Sequence, residues 1–93
     1  MKMKTPEKGG VVQSVQGRDD GKYYVICEVL SEGYVLVADG KTRTLGHPKK
    51  KNIKHLRLLP RNVSEEEIAW DKSFDVRAAH FLKTLAEKVK SED

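Results

Sequence analysis

Lys49, Lys50 and Lys51 stand side by side, followed closely by Lys54 and Arg57. Lys41, Arg43 and His47 come just before them, and Arg18 and Lys22 flank a short run bounded by Gly17 and Gly21. Side chains of this kind neutralise a polyanion and release the counterions condensed on its phosphates, which is binding chemistry. Their spacing offers nothing to catalysis. Gly17-Arg-Asp-Asp-Gly21-Lys22-Tyr23 superficially resembles a phosphate-binding P-loop, but it is one residue short between the glycines and has Tyr where Ser or Thr must reach Mg²⁺. Neither a nucleophile elbow, a zinc-protease helix motif nor a dinucleotide fingerprint occurs in the chain. His47, His55 and His80 lack metal-ligand spacing with one another or with Cys27, the only cysteine, so no metal is expected. Cys27 lies within Val25-Ile-Cys-Glu-Val29, where a free thiol packs as a small hydrophobe. These patterns predict a binding protein that is not an enzyme and takes no cofactor.

The cations are unevenly spread. The net charge is +4, but residues 1–61 hold 13 Lys or Arg against 6 Asp or Glu, and residues 62–93 hold 5 against 8. The first part is therefore the expected contact surface for nucleic acid, the alternative being a charged face that serves solubility alone. Hydrophobic residues make up 38% of the 93 and charged residues 34%, a composition suited to one small soluble domain. The longest apolar runs, residues 23–27 and 34–38, fall far below the roughly 20 residues that a membrane-spanning helix needs. The start, Met1-Lys-Met-Lys-Thr-Pro, develops no apolar signal segment, so a cytoplasmic location without membrane contact is expected.

The elements that must position these cations can be read from the patterning. Residues 1–9 have no hydrophobic periodicity and read as a flexible lead-in. Short β-rich runs follow at 11–15, 22–30, 34–39, 41–45 and 53–59, separated by turn residues. Asp39-Gly40 predicts a tight hairpin between the third and fourth runs, because Gly40 accepts positive φ. Pro48 and the three lysines predict an exposed loop over 46–52, and Pro60 is expected to end the β region. Ser64-Glu-Glu-Glu67 fits a capping box and predicts a helix start. Phe74, Ala78, Phe81, Leu82, Leu85 and Val89 then form one apolar stripe, with Lys83 and Glu87 as an i,i+4 pair on the exposed side. Asp71-Lys-Ser73 is expected to break this segment into a short and a longer helix. The stripe must fold back on the β region or meet a partner.

The stretch from Val11 through Gly17-Arg-Asp-Asp-Gly21-Lys22 to Val29 resembles the KOW motif. The continuation, Tyr34-Val-Leu-Val-Ala-Asp-Gly40-Lys41 and then Pro48-Lys-Lys-Lys-Asn-Ile-Lys-His-Leu56, is similar to the fourteen-e class of large-subunit ribosomal proteins and their short bacterial KOW-containing relatives. That resemblance implies a mainly β protein. An SH3-like five-stranded barrel would occupy residues 10–60 and a helical C-terminal extension residues 61–93. It also implies RNA, ribosomal RNA in particular, as the partner, met through the loop after the first strand and the basic loop before the last. Arg18, Lys22, Lys41, Arg43, His47, Lys49, Lys50, Lys51, Lys54 and Arg57 are the expected phosphate contacts. Gly17, Gly21 and Gly40 shape the turns. Asp19 and Asp20 repel a phosphate unless they point away from it. Whichever of Tyr23 and Tyr24 faces outward is the candidate for stacking on an unpaired base, because successive strand residues face opposite sides. The rival reading is a protein-interaction KOW module that acts with ribosomal or transcription proteins.

Overall fold

The protein is described from a computed structural model covering residues 5–64 and 66–91, with the side chains of residues 89–91 left aside. Strands β1 (Gly10–Ser14), β2 (Tyr23–Val29), β3 (Tyr34–Ala38), β4 (Lys49–Asn52) and β5 (Leu56–Asn62) form one antiparallel sheet, and helix α1 spans Phe74–Ser91. The strand order is β4-β3-β2-β1-β5. β4 and β5 thus sit at opposite ends of the sheet, yet only the 3₁₀ turn Ile53–His55 separates them in sequence. Three such residues rise roughly 6 Å. The sheet must therefore curl until its ends meet, which makes it the expected SH3-like barrel. The turn is held from two sides: Ile53 N–H donates to Gly33 O at 2.9 Å, and Val15 N–H donates to His55 O at 3.0 Å.

Both faces of the sheet are covered over most of β1 and β2, and their runs reflect it. Val12, Tyr24, Ile26, Val35, Val37 and Leu56 fill the barrel interior. Val11, Val25, Cys27 and Ala38 point outward, where Ile68, Phe74, Ala78 and Leu82 cover them. A strand buried on both faces loses its polar alternation and reads as a continuous apolar run, as Tyr23 to Cys27 does. The register shifts between Ile26 and Glu28, after which Glu28 and Val29 are exposed. The apolar stripe of α1 therefore folds back on the sheet from Phe74 to Leu85, the side chain of Val89 lying outside those described, and Trp70 stacks on Phe74 with ring centroids 5.1 Å apart. Phe81 and Leu85 pack at the margin of this cluster, half-buried.

Several expectations are corrected. No strand forms over 41–45; the partner of β3 is β4, with Val35 opposite Lys51 and Val37 opposite Lys49. The lysine run is therefore a strand, not an exposed loop. Pro60 does not end the β region. β5 continues through it to Asn62, because it is an edge strand whose pairing with β1 shifts register between Gly10 and Val12, where a missing N–H disturbs least. The capping box does form, with Glu67 N–H donating to Ser64 Oγ at 3.3 Å and Ser64 N–H to Glu67 Oε1 at 3.1 Å. It closes a single turn, and the helix proper starts only at Phe74, after the break at Asp71 to Ser73. Glu65 lies outside the described residues, as do the first four residues of the lead-in. The end of that lead-in is fixed: Gly9 N–H donates to Ile26 O at 2.8 Å and Gly9 O accepts from Val63 N–H at 2.8 Å.

Gly21 ends the turn between β1 and β2 at φ 93°, with Gly21 N–H donating to Ser14 O at 2.7 Å. A Cβ there meets no atom within 4 Å, so a side chain would suffer from backbone strain alone. Gly21→Ala is expected to cost about 1 kcal/mol. A denaturation midpoint unchanged by the substitution would contradict the turn geometry.

Candidate nucleic-acid interface

The turn between β1 and β2 sends one carboxylate inward and leaves one outside. Asp19 is 7% exposed, whereas Asp20 is exposed. Asp19 Oδ1 accepts from Ser14 Oγ at 2.8 Å and Lys51 Nζ at 3.2 Å; Oδ2 accepts from Tyr24 Oη at 2.9 Å and Lys49 Nζ at 3.2 Å. Burial alone would raise the pKa of this carboxyl, but the bonds from Ser14, Tyr24, Lys51 and Lys49 outweigh it and hold the group far below the usual carboxylate range. Burial, followed by the bond to Asp19, pushes the Tyr24 phenol well above its ordinary value. The carboxylate that would have repelled a ligand phosphate is thus turned into the barrel.

The same network engages three of the expected RNA contacts. Lys51 is 9% exposed and paired with Asp19, so it is a structural cation. Lys49 faces the same way, and its ammonium is shared with Asp19. Tyr24 is 2% exposed with its hydroxyl committed, which excludes it as a stacking platform. Tyr23, its neighbour, faces the other side and remains half-buried. Lys50 points outward, with its ammonium 4.6 Å from the Tyr34 ring centroid.

The remaining expected contacts are exposed. Arg18 and Lys22 sit in the turn after β1, Lys41, Arg43 and His47 in residues 39–48, Lys54 in the 3₁₀ turn and Arg57 on β5. Asp19 pairs with Lys49 and Lys51, and Arg61 with Glu67; among the described residues none of these exposed lysines and arginines takes part in an ion pair. Asp39 organises the connection around Lys41 and Arg43 by accepting from their backbone N–H groups at 2.9 Å each and from Thr42 Oγ1 at 2.9 Å. Gly17 and Gly40 adopt φ 87° and 80°. A Cβ on Gly40 would lie 2.1 Å from Asp75 O, so this glycine lets residues 39–48 lie against the backbone of α1.

That close approach creates a groove missed in the sequence. Lys22, Lys41 and Lys83 line it together with Gln13, Tyr23 and Asp39, in a volume of about 520 Å³. Arg57 continues the surface, since Gln13 lies opposite both Tyr23 and Arg57 in the sheet. Lys83 makes no ion pair with Glu87 despite the favourable spacing. A signal was present in Ala79, Lys83 and Ala86, which form a second helical stripe beside the apolar one, small enough for a close neighbour.

Cys27 is buried, and burial, with Asp75 adding to it, pushes its thiol up to about 11, which leaves little thiolate at neutral pH. Among the described residues no three His, Cys, Asp or Glu side chains converge to hold a metal ion, and no helix is long and apolar enough to cross a membrane.

No protein-family model matches the chain. Individual proteins do. The large ribosomal subunit protein eL14 of Pyrobaculum arsenaticum is 32% identical over 90 residues, covering 95% of this chain and 87% of that protein. Its counterpart in Desulfurococcus amylolyticus is 32% identical over 68 residues, 67% of this chain and 71% of its own length. The Aeropyrum pernix protein is 31% identical over 68 residues, 73% and 68% of the two chains. A match that takes in both the sheet and α1, at this identity and over nearly the whole of both chains, shows that the chain belongs to the eL14 family of large ribosomal subunit proteins.

Proposed function

We propose that the protein binds RNA as a component or close associate of the large ribosomal subunit, acting in the cytoplasm as a binding protein and not as a catalyst. The observation that carries this reading is the set of exposed cations Arg18, Lys22, Lys41, Arg43, Lys54 and Arg57, unpaired among the described residues and spread over the turns and strand β5 of the barrel. Rigid display suits phosphate contact, because affinity then depends on neutralised charge and not on the ordering of flexible segments. The outward Lys50 extends the cationic surface and His47 adds a polar contact; Lys51 supports it from within, and Lys49 shares its ammonium with Asp19. Membership of a ribosomal family makes ribosomal RNA the natural ligand and neighbouring ribosomal proteins the natural companions.

The test is salt-dependent binding to a ribosomal RNA fragment, followed by anisotropy. Arg18→Gln, Arg43→Gln and Arg57→Gln combined remove up to three phosphate neutralisations from exposed positions, and stability should move by no more than about 0.5 kcal/mol per site. The log-log salt slope should become shallower by about two units. Binding that does not respond to salt, or a triple variant with the wild-type slope, would instead favour the protein-interaction reading.

A further inference from the structure

The groove between the barrel and α1 has a feature that electrostatic attraction to a duplex does not require. Its cations come from three separate elements: Lys22 from the turn after β1, Lys41 from residues 39–48, and Lys83 from α1. Below the exposed lysines the floor of its lining is largely apolar, with Tyr23, Ala79, Leu82 and Ala86 beside the half-buried Gln13 and Asp39. None of the three lysines is ion-paired among the described residues. The one acid in the groove, Asp39, is occupied by three donors of its own loop, and those bonds overcome the effect of burial to keep it ionised. Three ammonium groups around an apolar, partly aromatic floor match a nucleotide with its base unstacked, phosphates on the rim and base or sugar below. A paired base in an A-form helix presents no free face to such a floor.

We propose that this groove is a site for an unpaired RNA segment, in which Lys22, Lys41 and Lys83 hold the phosphates and Tyr23 receives a base. The proposal rests on the RNA-binding reading and deepens it: α1 becomes half of the binding site, and the protein distinguishes looped from fully paired RNA. The position of Lys83 follows from the core, since Phe74, Ala78 and Leu82 are buried against the sheet and fix the rotation of the helix. Lys83 is a binding residue carried by a packed element.

The test uses the full chain and two fluorescent RNAs with the same number of nucleotides, a hairpin with an unpaired loop and a blunt, fully paired duplex, titrated over a range of salt. Wild type should prefer the looped RNA by about 5-fold or more, as expected for one stacked base. Lys83→Gln should weaken binding to the looped RNA by about 3- to 4-fold at 0.15 M salt and make the slope shallower by about 0.7, the effect of one phosphate on a single strand. Lys83→Arg should restore both. Lys72→Gln removes the same charge from an exposed position outside the groove and should leave both unchanged. Tyr23→Leu keeps the floor apolar and should abolish the preference for the loop. Equal behaviour of Lys83→Gln and Lys72→Gln, or an equal loss on both RNAs, overturns the groove while leaving RNA binding standing. Failure of wild type to bind either RNA overturns the RNA reading, and the groove with it.

Discussion

Asp19→Ala is expected to lower the stability of the protein by about 3 kcal/mol or more, the largest effect of any substitution in the turn between β1 and β2. The carboxylate is the common acceptor for Ser14, Tyr24, Lys49 and Lys51. Its removal leaves Lys51 as a cation 9% exposed with no counter-charge, a situation that costs far more than the pair itself contributes. Lys51→Met alone should cost less, because Asp19 keeps Lys49, Ser14 and Tyr24. The double variant, Asp19→Ala with Lys51→Met, should recover at least about 1 kcal/mol relative to the sum of the two single effects, as residues in one network are not additive. Strict additivity in urea unfolding would show that the two side chains do not act together. The pH dependence has a definite sign. The folded-state pKa of Asp19 is depressed, so its contribution is fully present above the unfolded value of about 3.9 and is lost as pH falls through the folded value. The gap in Tm between wild type and Asp19→Ala should therefore be constant near neutrality and narrow only below about pH 4.

This network also changes what the lysine run means. As a set of exposed phosphate ligands, Lys49, Lys50 and Lys51 could all be replaced without harm to the fold. In the barrel they alternate: Lys49 and Lys51 face Asp19, and Lys50 faces outward beside Tyr34. The alternation of period two that marks a strand was present, but its inward residues were cations, and hydrophobic periodicity cannot detect a strand whose inward face is charged. Only the position of Asp19 reveals it, and that partner lies about 30 residues away, beyond any local pattern.

Where the apolar residues carried the information, the reading was close. β1, β2 and β3 fall within one or two residues of the expected runs, because Val11, Val12, Tyr24 to Cys27, Val35 and Val37 are buried by the barrel or by α1. The stripe of α1 and the break before it were legible for the same reason. Local motifs were less secure. The capping box at Ser64 formed its reciprocal bonds yet led into no long helix, since Asp71 to Ser73 redirect the chain and start α1 afresh. Asp39-Gly40 carried a true signal for positive φ and a false one for a hairpin: the conformation is required, but by a helix that approaches from 35 residues further along, through Asp75. For the candidate interface, the cations of the turns were recognisable by type, whereas Lys83 belongs to it only through tertiary packing.

Gly40→Ala tests that packing directly. Two costs combine at this position, and neighbouring glycines allow them to be separated. Gly33 and Gly21 have φ 83° and 93° with open space around a new Cβ, so alanine there should cost only the backbone strain, about 1 kcal/mol each. Gly46 has neither positive φ nor a close neighbour, and alanine should be near neutral there. At Gly40 the new Cβ would stand 2.1 Å from Asp75 O and 2.9 Å from Ala79 N, both backbone atoms of α1 that no rotamer change can move. The helix or residues 39–48 must shift, which adds an overpacking cost of about 1–3 kcal/mol. It also disturbs the bond from Leu45 N–H to Asp75 Oδ1, 2.8 Å long, that ties the two together. A total of about 2–4 kcal/mol is expected, clearly above that of Gly33→Ala, together with a chemical-shift change along α1 that Gly33→Ala does not produce. Because Lys41 follows Gly40 and Lys83 follows Ala79 by one turn, the same displacement should widen the groove and weaken binding to looped RNA even at temperatures where the variant is fully folded. A Gly40→Ala protein as stable as Gly33→Ala, with unshifted helix resonances, would mean that residues 39–48 and α1 do not touch, and the composite groove would lose its structural basis.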